Sequence, residues 1–186
     1  VTVTGSRIKR VNLEGPAPVT VINREQIERE GFQTVGDMLQ TLNQTTNNNY
    51  TGDLNTNGFT PNAQVNNLRN LGPGYTLTLI NGRRVVTSRA GTNFGGAAGM
   101  QVDLNAVPTQ MVERVENLTI GGAPTYGSDA IAGTVNIILK DQYEGAEVNV
   151  NYGQTEQGNS QTLGYSFIFG QNFAGDRGNW VLSGNY

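Results

Sequence analysis

Hydrophobic residues recur along this chain at two spacings, one helical and one of period two. Val19, Val21 and Ile22 read as a short strand. Asn23 stands at the next helix start, with Gln26 three residues on, as a capping box requires. Ile27 is that helix's apolar anchor and Gly31 its stop. Thr34 opens a second helix with Asp37 in its first turn, and Val35, Met38, Leu39 and Leu42 share one face. Both helices are amphipathic without convergent polar groups, so they read as structural.

The middle of the chain turns to period two. QVNNLRNL (64–71) reads as a strand leading to Arg69, and Gly72-Pro73-Gly74 as a turn. YTLTLI and RRVVT flank Asn81-Gly82, the dipeptide of a type I′ hairpin. Leu77 and Leu79 fall on one face of the first arm, with Thr76, Thr78 and Ile80 on the other. Arg83 and Arg84 follow the turn, and one of them reads as an exposed hairpin charge. Val107-Pro108 predicts a short helical turn. VERVENL (112–118) predicts a strand burying Val115 and Leu118 and bordered by Glu113 and Glu116, with a Gly/Pro turn from Ile120 to Thr125. Tyr126 to Lys140 holds a tight Gly-rich turn and then the most apolar run, with Val135, Ile137 and Leu139 on one face. Gly127 and Gly133 there allow a close backbone approach. The predicted core is Val35, Leu39, Leu77, Leu79, Val115, Val135 and Ile137.

After Lys140 the alternation lengthens. Ala146, Val148, Val150 and Tyr152 form one apolar row, Leu163, Tyr165, Phe167 and Phe169 a second, and Trp180, Leu182 and Tyr186 a third. The intervening positions are mostly small or polar. Transmembrane β-barrel strands alternate this way. So does a soluble sandwich, which would turn Leu163, Phe167, Phe169 and Trp180 toward a second sheet.

Two loops interrupt the pattern. Residues 43–64 are polar, and residues 88–100 are rich in Gly and Ala. Loops this long in a compact domain tend to be functional. Asn48, Asn49, Tyr50, Asn57 and Phe59 from the first, with Arg89, Asn93 and Phe94 from the second, are candidates to line a polar ligand face. Asp53, Asn55, Asn57 and Gly58 match half of a calcium loop, but Gln64 stands where a bidentate Glu is needed, so no metal is assigned.

Composition narrows the chemistry. The 186 residues contain no Cys and no His, which excludes thiolate or imidazole zinc sites and imidazole-based triads. No nucleotide-binding or nucleophile-elbow motif occurs, so no catalytic residue and no cofactor is expected. A net charge of -3 without a basic cluster gives no nucleic-acid surface. No apolar run reaches the ~20 residues of a spanning helix, though barrel strands would not show as one. The text starts at Val1 without a visible signal peptide, so a leader could precede it.

Six motifs in order carry a family resemblance: VTGSRI (3–8), LRNLG (68–72), LINGRRV (79–85), DLNAVP (103–108), VERVENL (112–118) and YGSDAIAGTVNIILK (126–140). Together they resemble the plug of TonB-dependent outer-membrane receptors. The resemblance implies an α+β plug, a small mixed sheet with short helices, over residues 1–143. Residues 144–186 would be about the first three antiparallel strands of a transmembrane β-barrel of roughly 22 strands. The chain would then be an N-terminal fragment, since an unfinished sheet leaves an unpaired edge in lipid. It implies uptake of a scarce ligand (siderophore-iron, vitamin or carbohydrate) across the bacterial outer membrane, with the plug in the barrel lumen. TonB, with ExbB and ExbD, would pull from the periplasmic side near Val1, Thr2, Val3 and Thr4. Outer-membrane lipid would surround the barrel, and Arg69 would pair with barrel carboxylates. Asn70 stands where the family usually has Gly, and Thr119 where it often has a basic residue, leaving Arg69 as the one cation of that lock. The alternatives are a soluble polar-ligand or carbohydrate-binding module without transport, and an enzyme using carboxylates such as Asp53 and Asp103.

Overall fold

The computed structural model describes residues 19–45, 64–89, 100–120, 122–154, 161–175 and 177–186. Strand β1 (Val19–Asn23) runs directly into α1 (Arg24–Glu30). Asn23 Oδ1 accepts from the Gln26 amide at 2.9 Å, and Gly31, at φ 67°, closes the helix on the Ile27 carbonyl. The complete capping box lies one helix later, at α2 (Val35–Gln40), where Thr34 and Asp37 exchange both bonds. The Gln26 side chain instead reaches forward to Glu30.

The strand expected over 64–71 does not form. Leu68 makes a single bridge to Thr45, and Arg69 and Asn70 follow in the left-handed region at φ 55° and 56°. Two left-handed residues in succession turn the chain and end any extended run. Asn70 thus takes up a conformation for which Gly is the easier residue, and Asn the next easiest.

Strands β2 (Thr76–Ile80) and β3 (Arg83–Arg84) form the expected hairpin, with Asn81 and Gly82 at φ 49° and 75°. Its second arm stops after two residues, and Val86 is 94% exposed. Strands β4 (Ser88–Arg89) and β5 (Met100–Gln101) pair with each other. Short 3-10 turns at Leu104–Ala106 and Thr109–Met111 lead into β6 (Val112–Leu118). The expected Gly/Pro turn contains a short helix, α3 (Ala123–Tyr126), before β7 (Gly133–Leu139).

These strands form a mixed sheet in the order β1-β6-β7-β2-β3, antiparallel except where β2 and β7 run parallel. Ile22, Ile27, Val35, Met38, Leu39, Val115, Val135 and Ile137 make one buried cluster on the helix side. Leu77 and Leu79 form a separate cluster with Ala130 and Tyr126. The parallel register explains the split: Leu79 lies beside Asn136 and Leu77 beside Thr134, so both project opposite to Val135 and Ile137. Gly133 sits at φ 149°, and a Cβ there would lie 2.6 Å from Leu68 Cδ1 and 2.8 Å from the Leu118 carbonyl.

Strands β8 (Gly145–Gln154), β9 (Gln161–Phe173) and β10 (Gly178–Asn185) form a separate antiparallel meander. Val148 pairs with Phe167, Val150 with Tyr165, Tyr152 with Leu163, and Leu182 with Phe169. The three apolar rows therefore merge into one face, and most of it is exposed. Ile168, on the other face, is fully buried.

Candidate functional site

The two long loops spring from one tied base. Arg69 N donates to the Gln44 carbonyl at 2.9 Å, next to the Thr45–Leu68 bridge, which joins the two ends of the first loop. Leu104 N donates to the Gln64 carbonyl at 2.8 Å, and Gln64 N donates to Asp103 Oδ1 at 3.2 Å. The end of the first loop is thereby held to the segment that follows the second. Asp103 also accepts from Asn105 N at 3.0 Å, so its carboxylate serves as a cap. Thr34 donates to Gln64 Oε1 at 2.7 Å, fixing the same base to the start of α2. A cavity of about 10 Å³ lies beside it, lined by Thr45, Gln64 and Asn66, large enough for about one water. Among the described residues Thr45 Oγ1 and both amide atoms of Asn66 have no hydrogen-bond partner.

The structure describes few of the loop residues themselves. Asn48, Asn49, Tyr50, Asn57, Phe59, Asn93 and Phe94 lie outside the described residues, as do Val1, Thr2, Val3 and Thr4 and the half calcium loop with Asp53. The backbone of Arg89 is in β4, opposite Met100; its side chain is not among those described. Among the described residues no cluster of carboxylates could hold a metal ion.

Arg69 is described in full. Its guanidinium donates from Nη2 to the Thr119 carbonyl. The left-handed turn at Arg69 and Asn70 thus meets the end of β6 at Thr119, the second position of the expected cationic pair. Glu116 is not a charge bordering its strand. It is 1% exposed, and Arg114 Nε donates to it at 2.8 Å. A buried carboxylate is tolerated when paired and hydrogen-bonded. Arg84 is exposed, yet it bridges to Asp129 at 2.5 Å and donates to the Tyr126 carbonyl, tying the hairpin to the turn before β7.

Sequence reasoning missed the seam between the sheet and the meander. Gln110 Nε2 donates to Ser166 Oγ on β9 at 2.9 Å. In the connection after β7, the Tyr143 carbonyl accepts from Asn179 Nδ2 at 2.9 Å. Tyr143 also crosses Gly170 so closely that a Cβ there would lie 2.2 Å from its carbonyl oxygen. Lys140 stands 4.7 Å over the Tyr143 ring. The polar face of the meander is therefore the one turned to the sheet unit. One signal was present in the sequence: Gly164 and Gly170 both fall on the small, polar side of β9.

Known proteins share this fold. A family model described as TonB-dependent Receptor Plug Domain matches residues 11–134. The ferric citrate transporter FecA, in its unliganded form, is 22% identical with a TM-score of 0.67, over 93% of this chain and 26% of that one. A mutant of the ferric enterobactin receptor PfeA from Pseudomonas aeruginosa, solved with enterobactin, is 22% identical with a TM-score of 0.64, over 92% and 24%. The siderophore receptor PirA from Pseudomonas aeruginosa is 21% identical with a TM-score of 0.63, over 92% and 29%. The chain thus spans about a quarter of the length of these receptors. The mixed sheet with short helices followed by antiparallel strands is the fold they share, and the family is one of receptors and transporters. The matched model covers most of the chain, from residue 11, ahead of β1, into β7: the chain belongs to the TonB-dependent receptor plug domain family.

Proposed function

We propose that this chain is the gating plug and the first wall strands of a receptor that takes up a scarce ligand across the bacterial outer membrane. Residues 1–143 act as the plug inside the lumen, and residues 144–186 begin the barrel. The observation that carries the reading, beyond family membership, is the two-sidedness of β8–β10. Their apolar face is mostly exposed, while on the other face Ser166 accepts from Gln110 of the sheet unit and Ile168 is fully buried. A barrel wall in lipid requires that polarity, with the polar side toward the lumen. A soluble sandwich would have to cover Val150, Leu163 and Leu182 with a second sheet, and family membership argues against that alternative.

In this reading no bond of the ligand is broken and no catalytic residue is needed. The ligand meets the outer loops, with Asn48, Asn49, Tyr50, Asn57, Phe59, Arg89, Asn93 and Phe94 as the contacting set. The shared base at Gln64, Asp103 and Leu104 supports this assignment, because it ties the end of the first segment to the residues that follow the second. TonB, energised through ExbB and ExbD, engages the segment containing Val1 to Thr4 by strand addition. Arg69, held at Thr119, presents its guanidinium to carboxylates of the barrel wall. The ligand class is siderophore-iron, a vitamin or a carbohydrate; siderophore and ferric citrate receptors among the structural neighbours favour the first.

The test is accumulation of labelled ferric siderophores, cobalamin and oligosaccharides by cells expressing the complete protein, with and without TonB. Uptake of one ligand that vanishes without TonB, and on deletion of Val1 to Thr4 while surface binding persists, is the expected result. Recovery of the complete protein in the soluble fraction, or uptake indifferent to TonB, would overturn the proposal.

A further inference from the structure

Asn81-Gly82 is the sequence in which an asparagine side chain is chemically least protected. Glycine has no side chain to shield its amide nitrogen, and that nitrogen can attack the preceding Asn Cγ. The N–Cγ bond forms, ammonia leaves, and the resulting cyclic imide takes up water to give Asp or isoAsp. The reaction needs no other reagent. It requires that the Gly N–H be free to lose its proton and that the Asn side chain be free to swing over it.

In the fold neither group is free. Gly82 N donates to Asn136 Oδ1 at 2.9 Å. Asn81 Oδ1 accepts from Leu139 N at 2.9 Å, and Asn81 N donates to the Ile137 carbonyl at 2.9 Å. The turn is also fixed in the left-handed region at both residues. Asn136 is buried, so bulk water competes only weakly for its side of the bond to Gly82. All three bonds run from the hairpin to β7, the strand beside it in the sheet. The exposed turn therefore keeps its chemistry locked for as long as the end of β7 stays docked.

We infer that Asn81 is a latent deamidation site, silenced by Asn136 and Leu139 and released when the β2–β3 turn parts from β7. Asn81 is thus a built-in chemical recorder of opening at this end of the sheet, and the inference stands whether or not the chain transports anything. Two hydrogen bonds must break together before attack, which slows the reaction about tenfold to a hundredfold relative to the unfolded chain.

The experiment incubates the complete protein at mildly alkaline pH, folded in detergent and unfolded in urea. Peptide mass spectrometry follows conversion of Asn81 to acid. The expected result is slow conversion when folded and fast conversion in urea. Asn136→Ala should raise the folded rate about tenfold, while hydrogen exchange elsewhere in β6 and β7 stays slow. Equal rates in the folded and unfolded wild type would overturn the inference. So would an unchanged rate in Asn136→Ala with the sheet intact. If Asn136→Ala fails to fold, the wild-type comparison still decides.

Discussion

β7 and β10 are both short strands with apolar residues at alternate positions, yet they end in opposite surroundings. Ile137 is 0% exposed and Leu182 is 56% exposed. The difference lies in what covers each face. β7 is an inner strand of a sheet whose faces carry α1 and α2 on one side and the Leu77, Leu79, Ala130 and Tyr126 cluster on the other. β10 lies in a meander whose apolar face meets nothing among the described residues, while its polar face turns to the sheet unit. Alternation tells which residues share a face. It does not tell whether water, protein or lipid lies against that face.

The comparison breaks most easily at Gly133. Any side chain there must tolerate φ 149° and displace Leu68 and the β6 backbone. Gly133→Val is expected to cost on the order of 3 kcal/mol or more and to leave no protease-resistant sheet unit. A stable Gly133→Val protein would mean that this approach of backbones is not required. Leu39→Ala, at a fully buried core position, should cost about 2–5 kcal/mol in denaturant titrations. The matching truncation on the meander, Val150→Ala, should change little in detergent. Were the two equal, the meander's apolar face would be a protein core after all.

Val150→Lys sharpens the contrast in a medium-dependent way. In a bilayer a lysine near mid-depth costs about 2–4 kcal/mol. In detergent or water it costs far less. Heat-modifiable gel mobility of the complete protein should show impaired folding into vesicles for Val150→Lys and near-normal folding for Asn149→Lys, on the opposite face. The reverse order would invert the assignment of inside and outside.

How much of this was legible beforehand follows from the same distinction. The caps at Asn23 and Thr34, the Asn81-Gly82 hairpin and the β6 and β7 strands are local features, and the residues that make them are near neighbours. The failed strand at 64–71 was also local in pattern, but its outcome was decided by the left-handed pair Arg69 and Asn70, which non-glycine letters conceal. Glu116 looked like a surface charge because its burial depends on strands paired from distant parts of the chain. The seam at Gln110–Ser166 spans 56 positions of sequence, and only the small residues Gly164 and Gly170 on the Ser166 side of β9 hint at it. The shared loop base was unreadable, because Asp103 and Gln64 lie 39 positions apart in sequence.

That seam gives a smaller, separable effect. Gln110→Ala removes the one bond to Ser166 and should cost about 0.5–1.5 kcal/mol. It should do so without altering hydrogen exchange at the centre of either sheet. Broad loss of protection in β6 and β7 would show instead that the two units stabilise each other.

The smallest expected effect is at Lys140, where the sheet unit hands over to the meander. Burial holds its pKa below the usual 10.5, and the nearby charge of Arg24 adds to this; Glu147, Glu113 and Glu28 pull the other way. A folded value below the unfolded one means that the folded state releases the proton first. At neutral pH the lysine is charged in both states, and the folded state bears the penalty in full. As pH rises through the folded value the penalty fades, and it is gone above 10.5. Lys140→Met should therefore melt slightly higher than wild type at pH 7, with the gap closing as pH climbs toward 10.5. The neighbouring Tyr143 phenol is held above its usual value chiefly by burial, and Glu147 adds to this. A gap that widened with pH would mean that the charged ammonium, over the Tyr143 ring and among three glutamates, is a net stabiliser of this junction.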